Sequence, residues 1–169
     1  MDLPSDLLNH AETLAELDPG RPKQVSLRRC VSSCYYALFH LLVGEASRRV
    51  ARKEDFRYLV SRTIGHREMK DVSQAFSQKN LPNNFANRLN LRVVPNELRD
   101  VAEIFVSLQE ERHRADYSVR AAYDRSTTRH YISQTRSAFQ KWQTIRGAPE
   151  GEAFLLCLVF WERWKRPQD

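Results

Sequence analysis

Apolar side chains recur every three or four residues along most of this chain, a spacing typical of amphipathic α-helices. The clearest case is the segment 27–43, LRRCVSSCYYALFHLLV. Its apolar stripe on a helical wheel is made by Leu27, Val31, Cys34, Leu38 and Leu41. We predict that this segment lies in a central helix continuing to about residue 52, and that the rest of the chain is organised around it.

The same spacing predicts further helices. They are a helix over 6–17 capped by Ser5, a helical region that starts near 54 and breaks at Gly65, a helix over 97–117, a helix from 126 or 127 to 145, and a short apolar helix near 152–164. Residues 79–95 show no clear period and are expected to form an irregular connection. With only five Gly residues, the chain is predicted to be all-α, a bundle of five or six helices in one domain over residues 1–169.

Composition and charge indicate which cellular compartment and which binding partners to expect. The formal net charge is +6, carried mainly by arginine, which permits binding to polyanions such as nucleic acid. Cys30, Cys34 and Cys157 lack the spacing of a disulfide scaffold, so reduced core residues are expected. The start MDLPSDLLNH has no secretory-signal pattern, and the apolar run 153–161 is too short to span a bilayer. A cytoplasmic protein with no membrane partner is therefore expected.

One face of the central helix carries four chemically active side chains. An arc of about 60°, almost opposite the apolar stripe, holds Arg29, Ser33, Tyr36 and His40. An ordinary surface helix would show Lys, Glu and Gln there. Two interpretations stay open. The four side chains form hydrogen bonds to a neighbouring helix, or they line a functional cleft that binds anions or moves protons.

The helix over 97–117 ends in two opposite charges on its buried side. Its apolar stripe contains Leu98, Val101, Phe105 and Leu108, and at the same pitch it reaches Arg112, Ala115 and Asp116. A buried ion pair is a poor source of stability because desolvation of each ion is costly. Either the helix has left the core and the pair is solvated, or Asp116 holds the Arg112 guanidinium in a polar cleft. His66, at the junction beside Gly65, is a further side chain that could point into a cleft.

The motifs that the chain lacks leave several kinds of active site without support. No glycine-rich turn follows a strand, no His-Glu-x-x-His or Cys-x-x-Cys pair is present, and no serine sits in a nucleophile elbow. We therefore expect no metal site and no cofactor. The remaining set of Arg, His, Tyr and Asp side chains suits metal-free cleavage of RNA phosphodiesters or simple binding of a nucleotide.

Three strings of this sequence resemble the HEPN superfamily (higher eukaryote and prokaryote nucleotide-binding), in particular its small stand-alone bacterial members. They are SLRRCVSSCYYALFHLL in the central helix, Gly65-His66 leading into REMK, and LQEERHRADY in the later helix. The likeness covers roughly residues 14–142. It implies an HEPN-like, up-and-down helical bundle that commonly dimerises around a shared cleft.

The resemblance also implies activities. Members include RNA-cleaving toxins, defence effectors and non-catalytic nucleotide-binding modules, and active members are metal-independent endoribonucleases. Those use an Arg followed, after four to six residues, by a His. Arg112 has no His at that spacing, and the spacing between Arg125 and His130 is one that chance provides.

Candidate roles and partners follow from the same resemblance. The catalytic candidates are His66, His40 and Arg112, and the substrate-binding candidates are Arg29, Ser33, Tyr36, Asp116 and Tyr117. Arg29 and Arg112 would hold phosphate, one of the two histidines would handle the proton, and Asp116 would orient Arg112. The expected partners are RNA or a nucleotide, a second copy of the chain, and a cognate nucleotidyltransferase-like protein. The alternative is a catalytically silent dimeric adaptor whose polar cluster is an internal hydrogen-bond network.

Overall fold

The computed structural model describes residues 2–165, and these residues form eight α-helices and no β-strand. The helices are α1 (Leu3–Glu16), α2 (Gln24–Val50), α3 (Glu54–Ser61), α4 (His66–Phe76), α5 (Asn83–Leu89), α6 (Asn96–Tyr117), α7 (Arg125–Ile145) and α8 (Pro149–Lys165). The predicted all-α class is therefore confirmed, with more helices than the five or six expected. Every helix in this described part is too short or too polar to traverse a lipid bilayer.

The chain divides into two compact units. The first comprises the described residues of Met1–Leu41 and Ile104–Gln140, and the second those of Leu42–Glu103 and Lys141–Asp169.

The first unit buries the two stripes that the sequence predicts. Leu27, Val31, Cys34, Leu38 and Leu41 of α2 are buried, as are Phe105 and Leu108 of α6. Leu27 and Val31 form a core cluster with Ala115, Ala121 and Tyr123, so the amino end of α2 packs against the carboxyl end of α6 and the loop after it. Cys30 and Cys34 are buried, free thiols, as expected.

The start of α1 differs from its prediction. The helix begins at Leu3, and its N-cap is Asp2, whose carboxylate accepts a hydrogen bond from the Ser5 backbone N–H at 3.2 Å. Ser5 therefore lies inside the first turn and does not cap the helix. Pro4 lies in that same turn, where its missing N–H costs no helical hydrogen bond.

The second unit contains a helix that the sequence did not predict. Within the connection 79–95, expected to be irregular, α5 forms and its Phe85 ring stacks on Trp161 of α8, with the ring centroids 3.9 Å apart. An isolated β-bridge between Asn80 and Val93 closes the segment. The predicted break at Gly65 is confirmed because this residue is the N-cap of α4.

The apolar C-terminal helix buries most of its apolar side chains, while Leu156 and Phe160 remain 37% exposed. The predicted helix near 152–164 lies within α8, whose Phe154 packs edge-on against Phe76 of α4, with the centroids 5.1 Å apart. Phe154, Cys157 and Trp161 are all buried. Burial raises the pKa of the Cys157 thiol to about 12, which keeps it protonated and unreactive at neutral pH.

Candidate functional site

A surface groove of about 630 Å³ lies in the first unit, between the amino end of α2 and the carboxyl end of α6. It is lined by Gln24, Val25, Arg28, Arg29, Ala115, Asp116 and Tyr117. We call it the Arg29 groove. Three of the predicted substrate-binding residues, Arg29, Asp116 and Tyr117, therefore share one depression, although they come from two helices distant in the sequence.

Arg29 supplies a free cation to this groove. The side chain is exposed, and its guanidinium forms no hydrogen bond or ion pair with any residue in the range 2–165. It lies in the second turn of α2. A guanidinium that is not neutralised by a neighbour is available to an anionic ligand.

Tyr117 supplies an exposed aromatic ring. It is the last residue of α6, it is 69% exposed, and its ring lies 4.9 Å from the ring of His113, measured between centroids. A large aromatic side chain in water at a groove edge offers a flat surface on which another ring can stack.

Arg28, one residue before Arg29, has a different role. Its guanidinium donates to the backbone carbonyls of Ala115 at 3.0 Å, Ser118 at 2.9 Å, Val119 at 3.5 Å and Ala121. These carbonyls belong to the end of α6 and the following loop, where a helix leaves acceptors without partners. Arg28 therefore caps α6 and keeps a positive charge beside the groove.

Gln24 fixes the same loop one turn earlier on α2. Its side-chain amide donates to the Tyr123 carbonyl at 2.7 Å and accepts from the Tyr123 backbone N–H at 2.9 Å. With Arg28, it builds the floor of the Arg29 groove. Neither residue was a sequence candidate, and their spacing of four on the helix is the only signal that could have found them.

Asp116 is held by two partners. One carboxylate oxygen accepts a hydrogen bond from Ser32 Oγ at 2.7 Å, and the other lies 3.9 Å from Arg112 Nη1. The Arg112 side chain is 12% exposed and the Asp116 side chain 23% exposed. The pair is thus neither fully solvated nor fully buried, and Ser32 was not among the sequence candidates.

Arg112 packs against two tyrosines of α2. Its guanidinium carbon lies 5.0 Å from the Tyr35 ring centroid and 5.8 Å from that of Tyr36, which is cation–π geometry. Burial raises the pKa of the Tyr35 hydroxyl, and the Arg112 charge opposes that shift in part. Arg112 Nε is buried without a hydrogen-bond partner in the described chain. Aromatic faces thus replace part of its hydration.

His40 and Tyr36 continue this row along α2. Their ring centroids are 6.3 Å apart, both residues are half-buried, and burial lowers the His40 pKa from its ordinary value of 6.5. His40 is therefore neutral near pH 7 and able to accept a proton. Ser33, the remaining candidate of this face, is buried.

His66 belongs to the second unit. It is the first residue of α4, directly after the N-cap Gly65, and it is exposed. The candidate set is thus divided, with the other seven residues in the first unit.

The candidate residues of the first unit supply charge, aromatic surface and the imidazole of His40. Within residues 2–165 no group of three or more His, Cys, Asp or Glu side chains is arranged to hold a metal ion. Comparison with protein-family models, with curated proteins and with solved structures finds no match for this chain.

Proposed function

We propose that this chain is an HEPN-like protein of a bacterial toxin–antitoxin or defence type that binds RNA or a nucleotide in the Arg29 groove. The observation that carries the proposal is the pairing, in one groove, of an unneutralised Arg29 guanidinium with the exposed Tyr117 ring. The proposed family is inferred from the sequence resemblance, and the groove is the proposed binding site.

Phosphate is the ligand group that best suits Arg29. An arginine fork forms two parallel hydrogen bonds to phosphate oxygens, and its charge cannot be lost by titration near neutral pH. Arg28 adds a second positive charge without being available as a donor, because its N–H groups are used by backbone carbonyls. Asp116 is the one acidic residue lining the groove. The lining is therefore positive on balance, which favours an anion.

A base is the group that best suits Tyr117. Stacking of a base on an aromatic side chain contributes roughly 1–3 kcal/mol and tolerates any sequence. Single-stranded RNA presents both a phosphate and an unstacked base within one nucleotide. In this proposal Arg29 holds the phosphate, Tyr117 stacks the base, and Asp116 accepts a hydrogen bond from the ligand with its free lone pairs.

Binding of a labelled oligoribonucleotide, followed by fluorescence anisotropy, tests the proposal. We expect Arg29→Ala and Tyr117→Ala each to weaken binding about tenfold. The matched control is Arg163→Ala, since Arg163 is also exposed and has no partner in the described chain. Equal affinity for all four proteins would contradict a ligand site in this groove.

Cleavage is a separate part of the proposal. In this step a neutral His40 would accept the proton of an RNA 2′-hydroxyl, whose oxygen attacks the phosphorus while the bond to the 5′-oxygen breaks and water protonates that leaving oxygen. Arg112 would stabilise charge on the phosphate, and Ser33 and Tyr36 are the further binding candidates on α2. Incubation of total RNA with the native chain and with His40→Ala, His66→Ala and Arg112→Ala in the presence of a chelator tests it. Loss of cleavage in a variant that still binds RNA identifies a catalytic residue. Intact RNA in every sample leaves a binding protein without nuclease activity.

The second candidate is a catalytically silent, dimeric helical adaptor. It is favoured by the contacts of Arg112, whose guanidinium packs on Tyr35 and pairs with an Asp116 that Ser32 holds. In that case the polar cluster serves to fix α2 against α6, and the partners are a second copy of the chain and another protein in the cytoplasm. A cognate nucleotidyltransferase-like protein belongs to the first candidate, as the partner in a toxin–antitoxin pair. Sedimentation of the purified chain measures the dimer directly. RNA binding that depends on Arg29 distinguishes the first candidate from this one.

A further inference from the structure

The helix α3 of the second unit buries none of its residues. On one face, Phe56 and Leu59 are 55% and 59% exposed, and the half-buried Val60 lies beside them at helical spacing. We call these three residues the α3 ridge. A helix of eight residues is too short to be stable alone in water, and large apolar side chains grouped on a surface are typical of interaction sites. The ridge therefore calls for a cover that the described chain does not supply.

The segment that contains the ridge carries an excess of positive charge. Residues 52–67 contain two acidic side chains and five cations, which are Arg52, Lys53, Arg57, Arg62 and Arg67. None of the five forms an ion pair within the described chain. The two acids, Glu54 and Asp55, lie in the first turn of α3, where the helix dipole stabilises them. Arg57 Nε donates to the Ala51 carbonyl at 3.1 Å and Arg62 donates to the Tyr58 hydroxyl, but no carboxylate among residues 2–165 neutralises any of the five cations.

The aromatic rings of this segment are approached by cations of the same segment. Arg62 Nη1 donates to the Tyr58 hydroxyl at 2.8 Å with its guanidinium 5.7 Å from the ring centroid, and Lys53 Nζ lies 6.0 Å from the Phe56 centroid. Each ring therefore keeps one open face, but Leu59 and Val60 of the ridge are aliphatic and offer a base or a phosphate neither a ring nor a hydrogen bond. A partner that brings its own apolar side chains suits the ridge better than RNA.

A second copy of the chain is also a poor fit. A symmetric dimer would place the same surface on both sides of the interface. Five unpaired cations would then face five others, and like charges directly opposed cost several kcal/mol. The cover that suits this surface has apolar residues on one face and negative charge on its edges.

We propose that the α3 ridge and its five cations dock an acidic amphipathic helix of another protein. Apolar side chains of that helix cover Phe56 and Leu59, and its carboxylates pair with Arg52, Arg62 and Arg67. This mode of recognition places an amphipathic helix against an apolar surface, with flanking charge setting the choice of partner.

A designed peptide tests the proposal on the full-length chain. The probe is a fluorescent helix of about 18 residues with leucines at a spacing of three and four and glutamates elsewhere, long enough for several helical turns. We expect binding that weakens with salt, and a loss of about tenfold or more in the double variant Phe56→Ser/Leu59→Ser and in Arg52→Glu/Arg62→Glu. The controls are Leu17→Ser, equally exposed in the first unit, and Arg120→Glu, and neither should change the affinity.

Other outcomes overturn the proposal. A peptide of the same composition without the leucine period must bind much more weakly. Equal binding of the two peptides would mean that the protein recognises only their charge. If the helical peptide does not bind, the ridge has no such partner. If Phe56→Ser/Leu59→Ser shifts the oligomeric state, or loses binding to anionic vesicles or RNA, the ridge has a different occupant. Circular dichroism of each variant verifies that these exposed substitutions leave the fold intact.

Discussion

Three pairs of identical neighbours occupy α2 as Arg28 with Arg29, Ser32 with Ser33, and Tyr35 with Tyr36. The spacing of four and three residues places the first members on one row of the helix and the second members on the next, about 100° away. The first row contacts α6 through carbonyl acceptors, Asp116 and Arg112. The second row begins with the free Arg29. All three members of the first row thus contact α6, whereas in the second row Tyr36 lies beside Arg112 and Arg29 is left free to line the groove.

At this scale, Arg112→Ala tests whether the polar cluster holds the helices together. The substitution removes the cation over Tyr35 and leaves Asp116 with only its bond to Ser32. Because both groups of the ion pair are mostly buried, we expect a loss of about 2 kcal/mol and an unfolding temperature lower by roughly 4–8 °C. Arg114→Ala, which removes an exposed guanidinium paired with Glu111, should cost under about 1 kcal/mol. Equal unfolding temperatures for the two variants would remove the structural role of Arg112.

His40 predicts a specific pH dependence of stability. Burial lowers its pKa in the folded chain below the ordinary value of 6.5, so the unfolded chain takes up the proton first as the pH falls. The contribution of His40 is therefore complete above about pH 6.5 and is lost as the pH falls toward the folded pKa. Thermal unfolding at pH 7.5 and pH 5.5, values on either side of about 6.5, should show a smaller decrease for His40→Gln than for the native chain. His130→Gln, at an exposed site on α7, should retain the native decrease.

At the scale of elements, the end of α6 depends on the first turns of α2. Arg28 donates to carbonyls of that end, and Gln24 makes two hydrogen bonds with the Tyr123 backbone. These contacts join segments about ninety residues apart in sequence, so they order a loop that would otherwise leave its acceptors to water.

The neighbouring residues Arg28 and Arg29 allow a matched test of these contacts between α2 and the end of α6. Arg28→Met should cost about 2–3 kcal/mol, because a charged donor to several carbonyls is lost, and amide hydrogen exchange should accelerate in residues 118–123. Arg29→Met changes the same chemistry one residue away, without a partner to lose, and should leave both stability and exchange unchanged. A similar loss in both variants would mean that the two rows of α2 are not distinct.

How far the sequence predicts these elements depends on how local their causes are. The helices α2, α6 and α7 follow from long apolar periods, and the break before α4 follows from Gly65. In contrast, α5 has only seven residues, too few to show a period, and it is held by stacking of Phe85 on the distant Trp161. The sequence does not predict α5 because the contact that stabilises this helix is tertiary and leaves no local pattern.

The same difference between local and tertiary causes decides how much of the candidate site the sequence predicts. Periodicity places Arg112 on the apolar side of α6, where its side chain is 12% exposed, and it places Arg29 and Tyr117 on segments that line one groove. It cannot choose between the Arg28 row and the Arg29 row, since the two have the same composition, and it therefore missed Arg28, Ser32 and Tyr35. Which contacts each row makes with α6 is decided by the packing of whole helices.

At the scale of the whole molecule, the net charge of +6 makes non-specific attraction to any polyanion the main competitor of the proposed binding. The dependence of affinity on salt separates the two. Each phosphate held by a cation releases counterions, and for single strands the slope of log K against log salt falls by about 0.7 per contact.

Arg29 should therefore account for one such contact. In a salt titration of oligoribonucleotide binding, we expect Arg29→Ala to make the slope less negative by about 0.7, whereas Tyr117→Ala should lower the affinity at every salt concentration and leave the slope unchanged. Arg163→Ala provides the reference for a distant cation. If removal of either arginine changes the slope equally, the RNA follows the overall charge of the protein and the Arg29 groove has no special part in binding. If the slope changes only for Arg29 while the Tyr117 effect is independent of salt, one phosphate and one base are bound at that groove, because charge and stacking then act through separate residues.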